Sequence, residues 1–320
     1  MAQPRAVETA RLIPILHADD CGVSAGTTDA IMACHDHGWL QRTSVVVNGA
    51  GWDHAVDALR RRPELSVFLH LNLFEGRPLS DAAKVDLLVD RRGRFNRGFA
   101  RLLLQGYTGG GATRRLRAQV RLELRQQIER FLDAFGDRGA LLVDGHVHYH
   151  MLPLVFDELL ALSAEYAIDA IRLPRELLYW PAERHAPRPP LINVVKNVVL
   201  RSLSSRAESA LAPKAVQTTD AFIGVLATGA MTLEHVIAAL NHLRSKGTCG
   251  TVEILFHPGR ARPEEAALWA DRPQLRAFYL SPSRDREAEL LCSDALLSVL
   301  RQYGERPSRA ATLPPCEVSA

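Results

Sequence analysis

The residues best suited to chemistry lie between Val143 and Pro153. Three histidines, His146, His148 and His150, fall at every second position, and Asp144 stands two residues before the first. Just upstream, Leu141-Leu142-Val143 reads as the end of a buried strand. Side chains two apart share one face of an extended chain, so a continuing strand would crowd Asp144, His146, His148 and His150 together. A helix would align only His146 and His150. Neutral imidazoles beside a carboxylate form a donor set for a divalent metal. A chance cluster on a solvated loop is the competing reading. Four such groups at one strand end favour a metal or catalytic site over it.

The elements that would position these groups alternate along the chain. Apolar or β-branched runs at 12–18, 43–47, 66–71, 141–143, 170–173, 221–226 and 251–256 read as strands. Helical patterns at 28–37, 52–62, 113–135, 154–166, 232–246 and 283–300 separate most of them, and 72–111 reads as a long irregular stretch. About seven strand–helix units predict an α/β fold, either a parallel barrel or a doubly wound sheet. The polar residues fall at the C-terminal ends of the strands: Asp19 and Asp20, Asn48, His70, Asp144 with His146, Arg172, and His257. In a parallel barrel these ends share one rim, where active sites are built.

That shared rim suggests roles. Asp20, His70 and His146 are the candidate metal ligands, since one carboxylate and two imidazoles leave positions open for reaction. A metal so held lowers the pKa of a bound water and polarises a carbonyl. Hydrolysis of an amide or ester then needs a base and an acid. Asp19 is the candidate base, next to a ligand but expected to point elsewhere, and His257 is the candidate acid. His148 and His150 are expected to face the substrate or to support the ligands. Asn48 and Arg172 are expected as substrate contacts. Each residue alone has a plainer reading: Asp19-Asp20 an acidic turn, His70 a core histidine, His257 a turn residue. Their common position argues otherwise.

Composition narrows the class. The chain has 320 residues, is 47% hydrophobic and carries a net charge of +3, which gives no electrostatic case for nucleic acid. Its five cysteines form no CxxC pair, which fits a reducing compartment. Residues 1–11 lack the apolar core of a signal peptide, and no run is apolar enough to cross a bilayer. The expectation is a soluble, cytoplasmic protein. One catalytic domain is expected over 12–304, with an insertion at about 176–217 and a flexible tail at 305–320. Within the insertion, 191–211 is apolar on one side and basic on the other (Lys196, Arg201, Arg206), a pattern suited to lipid-rich or anionic surfaces.

Taken in order, five stretches resemble the successive signatures of the YdjC-like carbohydrate deacetylases. They are Ala18-Asp19-Asp20-Cys21-Gly22, Val47-Asn48-Gly49, His70-Leu71-Asn72-Leu73-Phe74-Glu75-Gly76-Arg77-Pro78, Asp144-Gly145-His146-Val147-His148-Tyr149-His150, and Glu253-Ile254-Leu255-Phe256-His257-Pro258-Gly259. This family includes chitooligosaccharide deacetylases and hopanoid-biosynthesis-associated members. The resemblance implies a distorted (β/α) barrel of about seven parallel strands, similar to the polysaccharide-deacetylase barrel. It implies removal of acetyl groups from N-acetylated amino sugars with one divalent ion, Mg²⁺ in the family, with Zn²⁺ or another transition metal also compatible. On the same resemblance Asp20, His70 and His146 bind metal, Asp19 is the base and His257 the acid. Glu75, within the third signature, joins Asn48, His148, His150 and Arg172 as a substrate contact or a support. Cys21 stands where an aromatic residue is usual and Gly145 where serine is common. The expected partners are an amino-sugar substrate, a lipid-linked form of it touching 191–211, and a second copy in a homodimer. The residues alone leave open another metal-dependent amidase or phosphoesterase, or a non-catalytic sugar-binding barrel.

Overall fold

A computed structural model describes residues 11–182 and 187–303. The expected tail, 305–320, lies outside the described residues. In chain order the elements are β1 (Leu12–Cys21), α1 (Ala25–His37), β2 (Arg42–Val45), α2 (Trp52–Arg60), β3 (Ser66–Leu71), α3 (Phe99–Gly106), α4 (Gly111–Phe135), β4 (Leu141–Gly145), α5 (Pro153–Leu162), β5 (Ile168–Ile171), α6 (Leu191–Leu211), β6 (Ala221–Ile223), α7 (Leu233–Ser245), β7 (Gly250–Phe256), α8 (Pro273–Tyr279), α9 (Pro282–Leu291) and α10 (Asp294–Arg301). No described helix is long and apolar enough to cross a membrane.

All seven strands are parallel and lie in one sheet, ordered β5-β4-β3-β2-β1-β7-β6. This is a curled sheet in barrel order, open between β5 and β6. The strands are buried on both faces, as parallel strands covered by helices must be. Their outer faces pack Leu, Ile, Val and Phe against the helices in one continuous core. The inner face is polar near the rim, where His17, Ser44, Arg172 and Glu253 are all buried.

Among the described residues no ladder joins β5 to β6, and other bonds span the opening. The Ile171 N–H donates to Gln217 O at 3.0 Å, and the Gln217 N–H donates to Asp169 O at 2.8 Å. The buried Glu176 carboxylate accepts the N–H groups of Gly224 (2.8 Å) and Leu226 (2.7 Å), just past β6. Asn197 of α6 donates to the same carboxylate at 3.2 Å. Burial pushes the Glu176 carboxyl up to about 7, although these N–H donors oppose the rise. The 176–217 stretch therefore carries both α6 and the bonds across the opening.

Three local readings change. The chain after β4 does not stay extended: His146–Met151 turn as a short 3-10 segment, with Val147 at φ 52° and His148 at φ 58°. The expected helix at 283–300 is two helices, because Ser293 caps a new start by accepting the Leu296 N–H. The irregular 72–111 stretch contains α3 and one antiparallel bridge, Val89 to Phe95.

Two glycines let the turns after β1 and β2 meet. Gly22 sits at φ +83°, and its carbonyl accepts the Gly51 N–H at 2.9 Å. A Cβ on Gly49 would come within 2.1 Å of Gly22 O and 2.7 Å of Gly22 C, both backbone atoms that cannot swing aside. Gly49→Ala should therefore cost roughly 3 kcal/mol through forced displacement of the β1 turn. Urea denaturation would read this as a lower midpoint with an unchanged slope; an unshifted midpoint would contradict the packing.

Candidate metal centre

The centre begins with an irregularity in β1. The register between β1 and β2 shifts between Ala18 and Cys21, and Asp20 adopts φ 74°. A left-handed backbone costs an L-residue roughly 1–2 kcal/mol, and aspartate is among the residues that tolerate it. The break in alternation explains a departure from expectation. Asp19 and Asp20 do not point to opposite sides. Both line the same cavity, and His70 Nε2 lies 3.8 Å from an oxygen of each.

Asp20, His70 and His146 are buried and bring their ligand atoms within 4.8 Å of one another. Each is aimed by a further group. His70 Nδ1 donates to Asp144 Oδ1 at 2.6 Å, which leaves the Nε2 lone pair facing Asp20. His146 Nδ1 lies 3.1 Å from Asp20 Oδ1, and its Nε2 lies 3.0 Å from Glu75 Oε1. Arg284 donates to Asp20 Oδ2 at 3.0 Å, so only Oδ1 is left to face the imidazoles. Asp20 Oδ1 and His146 Nε2 are buried without a well-directed hydrogen bond. Buried polar atoms in that condition need a partner. One carboxylate oxygen and two imidazole nitrogens converging on one point fit a divalent cation. The electrostatics agree. Burial alone would lower His146, but Asp20 and Glu75 overcome it and push the imidazole up to about 10, a sign that the spot demands positive charge.

A second group, His17, Asp19 and Asp144, is equally close, but a guanidinium serves it. Arg172, fully buried, donates to both Asp19 oxygens at 2.8 and 2.9 Å and to Glu253 at 2.6 Å, and lies 2.8 Å from Asp144 Oδ2. Burial would raise the Asp19 carboxyl; Arg172, His70 and His17 overcome this and hold it well below the usual carboxylate range. Asp19 is thus ionised and oriented. Glu253 behaves alike: burial is outweighed by Arg172, His17 and Arg42, and its carboxyl falls to about 2.

The cavity over these groups measures about 150 Å³ and is also lined by Val147, His148, Lys196, Thr228, His257, Phe278 and Tyr279. Burial lowers His257 to about 4, with Asp20 and Asp19 opposing and Arg284 and Lys196 reinforcing the fall. Its imidazole is neutral near pH 7. Of the expected site residues, Asp19, Asp20, His70, His146, His148 and His257 share this cavity. Asn48 does not: it donates to Arg77 O at 2.8 Å and lines an adjoining groove of about 280 Å³, with Glu75 between the two spaces. Glu75 accepts from Trp269 Nε1 at 3.0 Å and from the Tyr279 hydroxyl. His150 Nε2 donates to Arg172 O at 2.9 Å, and its ring covers Gly145, where an added Cβ would lie 2.8 Å from Nδ1. Arg172 and His150 are thus sealed inside.

Sequence reasoning missed Arg284 and the wall formed by α8, and it read Lys196 as part of a basic helix face, whereas the residue lines the cavity. Nothing local marks Arg284 or the α8 wall. Arg284 stands on α9, with its guanidinium 4.8 Å from the Phe278 ring centre and 4.9 Å from that of Tyr279.

Replacing Arg172 with Met should leave Asp19, Asp144 and Glu253 facing one another and destabilise the fold by about 3–5 kcal/mol near neutral pH. For Glu253, whose carboxyl is depressed from 4.5 to about 2, the wild-type contribution is present above 4.5 and lost as pH falls toward 2. The Arg172→Met deficit should accordingly shrink on acidification; a deficit independent of pH from 7 to 3 would argue that lost packing alone is at work.

The chain is similar to known proteins over most of its length. The YdjC-like protein model matches residues 14–302. A carbohydrate deacetylase of Mus musculus is 29% identical over 300 residues, covering 91% of each chain. A carbohydrate deacetylase of Thermoanaerobacter pseudethanolicus is 26% identical over 76% of this chain and 80% of its own. A chitooligosaccharide deacetylase of Escherichia fergusonii is 30% identical over 165 residues, 52% of this chain and 60% of its own. A solved structure from Enterococcus faecalis, named as a candidate cellobiose-phosphate cleavage protein, has a TM-score of 0.65 at 18% identity and covers 93% of this chain and 97% of its own, a likeness of fold. With the family model spanning nearly the whole chain, this protein belongs to the YdjC-like family.

Proposed function

We propose that this chain is a metal-dependent hydrolase that removes the acetyl group from an N-acetylated amino sugar and releases acetate. The observation that carries the reading is one small cavity holding Asp20, His70 and His146 beside an ionised Asp19 and a neutral His257. Relatives named as carbohydrate deacetylases and chitooligosaccharide deacetylases support the substrate class.

Asp20, His70 and His146 would hold the ion. When bound, a divalent ion supplies Lewis acidity, lowering the pKa of water and polarising a carbonyl. Two imidazoles among three donors favour Zn²⁺ or another transition metal over Mg²⁺, which prefers oxygen. The chain's own groups carry the protons. Asp19, clamped by Arg172, accepts a proton as water oxygen bonds to the acyl carbon. The C–N bond then breaks, and the nitrogen leaves as a free amine once His257 gives it a proton. A neutral His257 must first take that proton from solvent, and negative charge building on the acyl group raises its affinity for one; the proton held by Asp19 returns to solvent as acetate leaves.

The favoured substrate form is an amino sugar carried on a lipid. On α6, Leu191, Ile192, Val195 and Val198 are 77%, 72%, 52% and 53% exposed and form a stripe on the helix that also reaches the cavity. Such a stripe suits the headgroup boundary of a bilayer.

Acetate release from a panel of free and lipid-linked N-acetylglucosamine compounds should cease with chelator and return with Zn²⁺ or Co²⁺. Silence under every metal, or release indifferent to chelator, would sink the reading. Asp19→Asn and His257→Ala should each lower turnover about 10²-fold or more, with metal content retained. His146→Ala should lose the metal, measured by elemental analysis after dialysis.

A further inference from the structure

One cationic group in the cavity is left without work. Lys196 stands on α6 and is half-buried at the cavity wall. Its ammonium makes no hydrogen bond or ion pair within 4 Å among the described residues. The carboxylates and the hydroxyl nearest to hand face other groups, and His148 Nδ1 is buried without a hydrogen bond. Asp19 has both oxygens on Arg172. Asp20, His70 and His146 converge on one another. The Thr228 hydroxyl donates to Gly224 O at 2.8 Å. Leu275 and Phe278 are apolar.

The backbone carrying Lys196 is fixed. The next residue, Asn197, is fully buried and donates to both the backbone carbonyl and the carboxylate of Glu176, each at 3.2 Å. A lysine on a pinned turn, aimed into a small cavity and left unpaired, is a positive charge held ready for something that arrives. Its field reaches His148 as well as Asp19 and His257, the two groups proposed to move protons. The charge that appears there during hydrolysis is on the acyl oxygen. Preorganised positive charge in a water-poor site is strongest where such charge develops.

We propose that Lys196 is a catalytic residue whose ammonium contacts the acyl oxygen as it becomes negative. The contact is electrostatic: no bond to nitrogen forms, and the ammonium keeps its protons. This inference rests on the deacetylase reading for the identity of the reaction, not for the position of the lysine.

The test is steady-state acetate release by the metal-loaded full chain with Lys196→Met and Lys196→Arg. Met keeps the stem and removes the charge; Arg keeps the charge. Lys196→Met should lower kcat about 10²-fold with KM within about threefold, while Lys196→Arg should stay within about tenfold of the wild type. Metal content and melting temperature should match the wild type in both. A pH series supplies a second readout. Burial draws the ammonium down to about 8, and Asp19 partly restores it. Asp19, Asp20, His70, His146, His148, His257 and Tyr279 are the titratable groups that share the cavity with it, and all are common to the wild type and Lys196→Arg. Because the protonated form is required, kcat should fall as pH rises through about 8, and Lys196→Arg should lack that limb. An unchanged kcat in Lys196→Met, or a raised KM with kcat intact, would overturn the assignment in favour of a bystander or a ground-state grip. A wild type that releases no acetate would overturn the deacetylase reading and this inference with it; an active wild type beside an unimpaired Met variant overturns the inference alone.

Discussion

A single buried guanidinium makes the interior of this barrel possible. Arg172 contacts Asp19, Asp144 and Glu253, all almost wholly excluded from solvent. Three carboxylates brought so close without a cation would repel strongly in a low-dielectric interior. With Arg172 between them each becomes useful. Asp19 stays ionised at the cavity floor, Asp144 accepts from His70 and fixes its tautomer, and Glu253 closes the set from β7 beside His17. The bidentate grip on Asp19 fixes direction as well as charge, which a lysine could not do. The candidate ligand His70, the candidate base and the strand order around them are thus one electrostatic unit.

The fold was largely legible because parallel strands buried on both faces leave uninterrupted apolar runs, and seven such runs gave seven strands. The rim was legible for a related reason: a run that ends in Asp-Asp, His or Asp-Gly-His has nowhere to place those groups except the strand's open end. What stayed hidden depended on contacts distant in sequence. Arg172 reads as a rim residue, and only its three partners from β1, β4 and β7 reveal that it is sealed in. Arg284, from α9, reaches Asp20 across 264 positions, and no periodicity signals that. The turn that follows β4 in place of a continuing strand stayed hidden because two positive-φ residues, Val147 and His148, bend the chain, a conformation that neither valine nor histidine advertises.

Asp19 and Asp20 show how a local fault can serve chemistry. In a regular strand adjacent residues face opposite sides, and one aspartate would be lost to the outer layer. The register shift with Asp20 at φ 74° turns both inward. Gly22 and Gly49 permit it, since their bare backbones let the β1 and β2 turns approach closely. Aspartate pairs are therefore informative at such positions: the strain is tolerable for aspartate, and it places two carboxylates where regular geometry allows one.

The opening between β5 and β6 gives the molecule a mechanical asymmetry. A closed ring of ladders resists dilation equally around its circumference. Here six ladders run from β5 round to β6, and the seventh position is spanned by side-chain and loop bonds through Glu176 and Gln217. The ring is built like a split collar, closed by backbone ladders along its arc and latched by buried side-chain and loop bonds at the slit. Asp20, His70 and His146 belong to the stiff arc, on β1, on β3 and just past β4. Lys196 rides on α6, beside the slit. The spacing among Asp20, His70 and His146 is thus set by backbone ladders, whereas that from Lys196 to them is set by the buried Glu176–Asn197 latch, so a change at Glu176 would shift one wall of the cavity and leave the other in place.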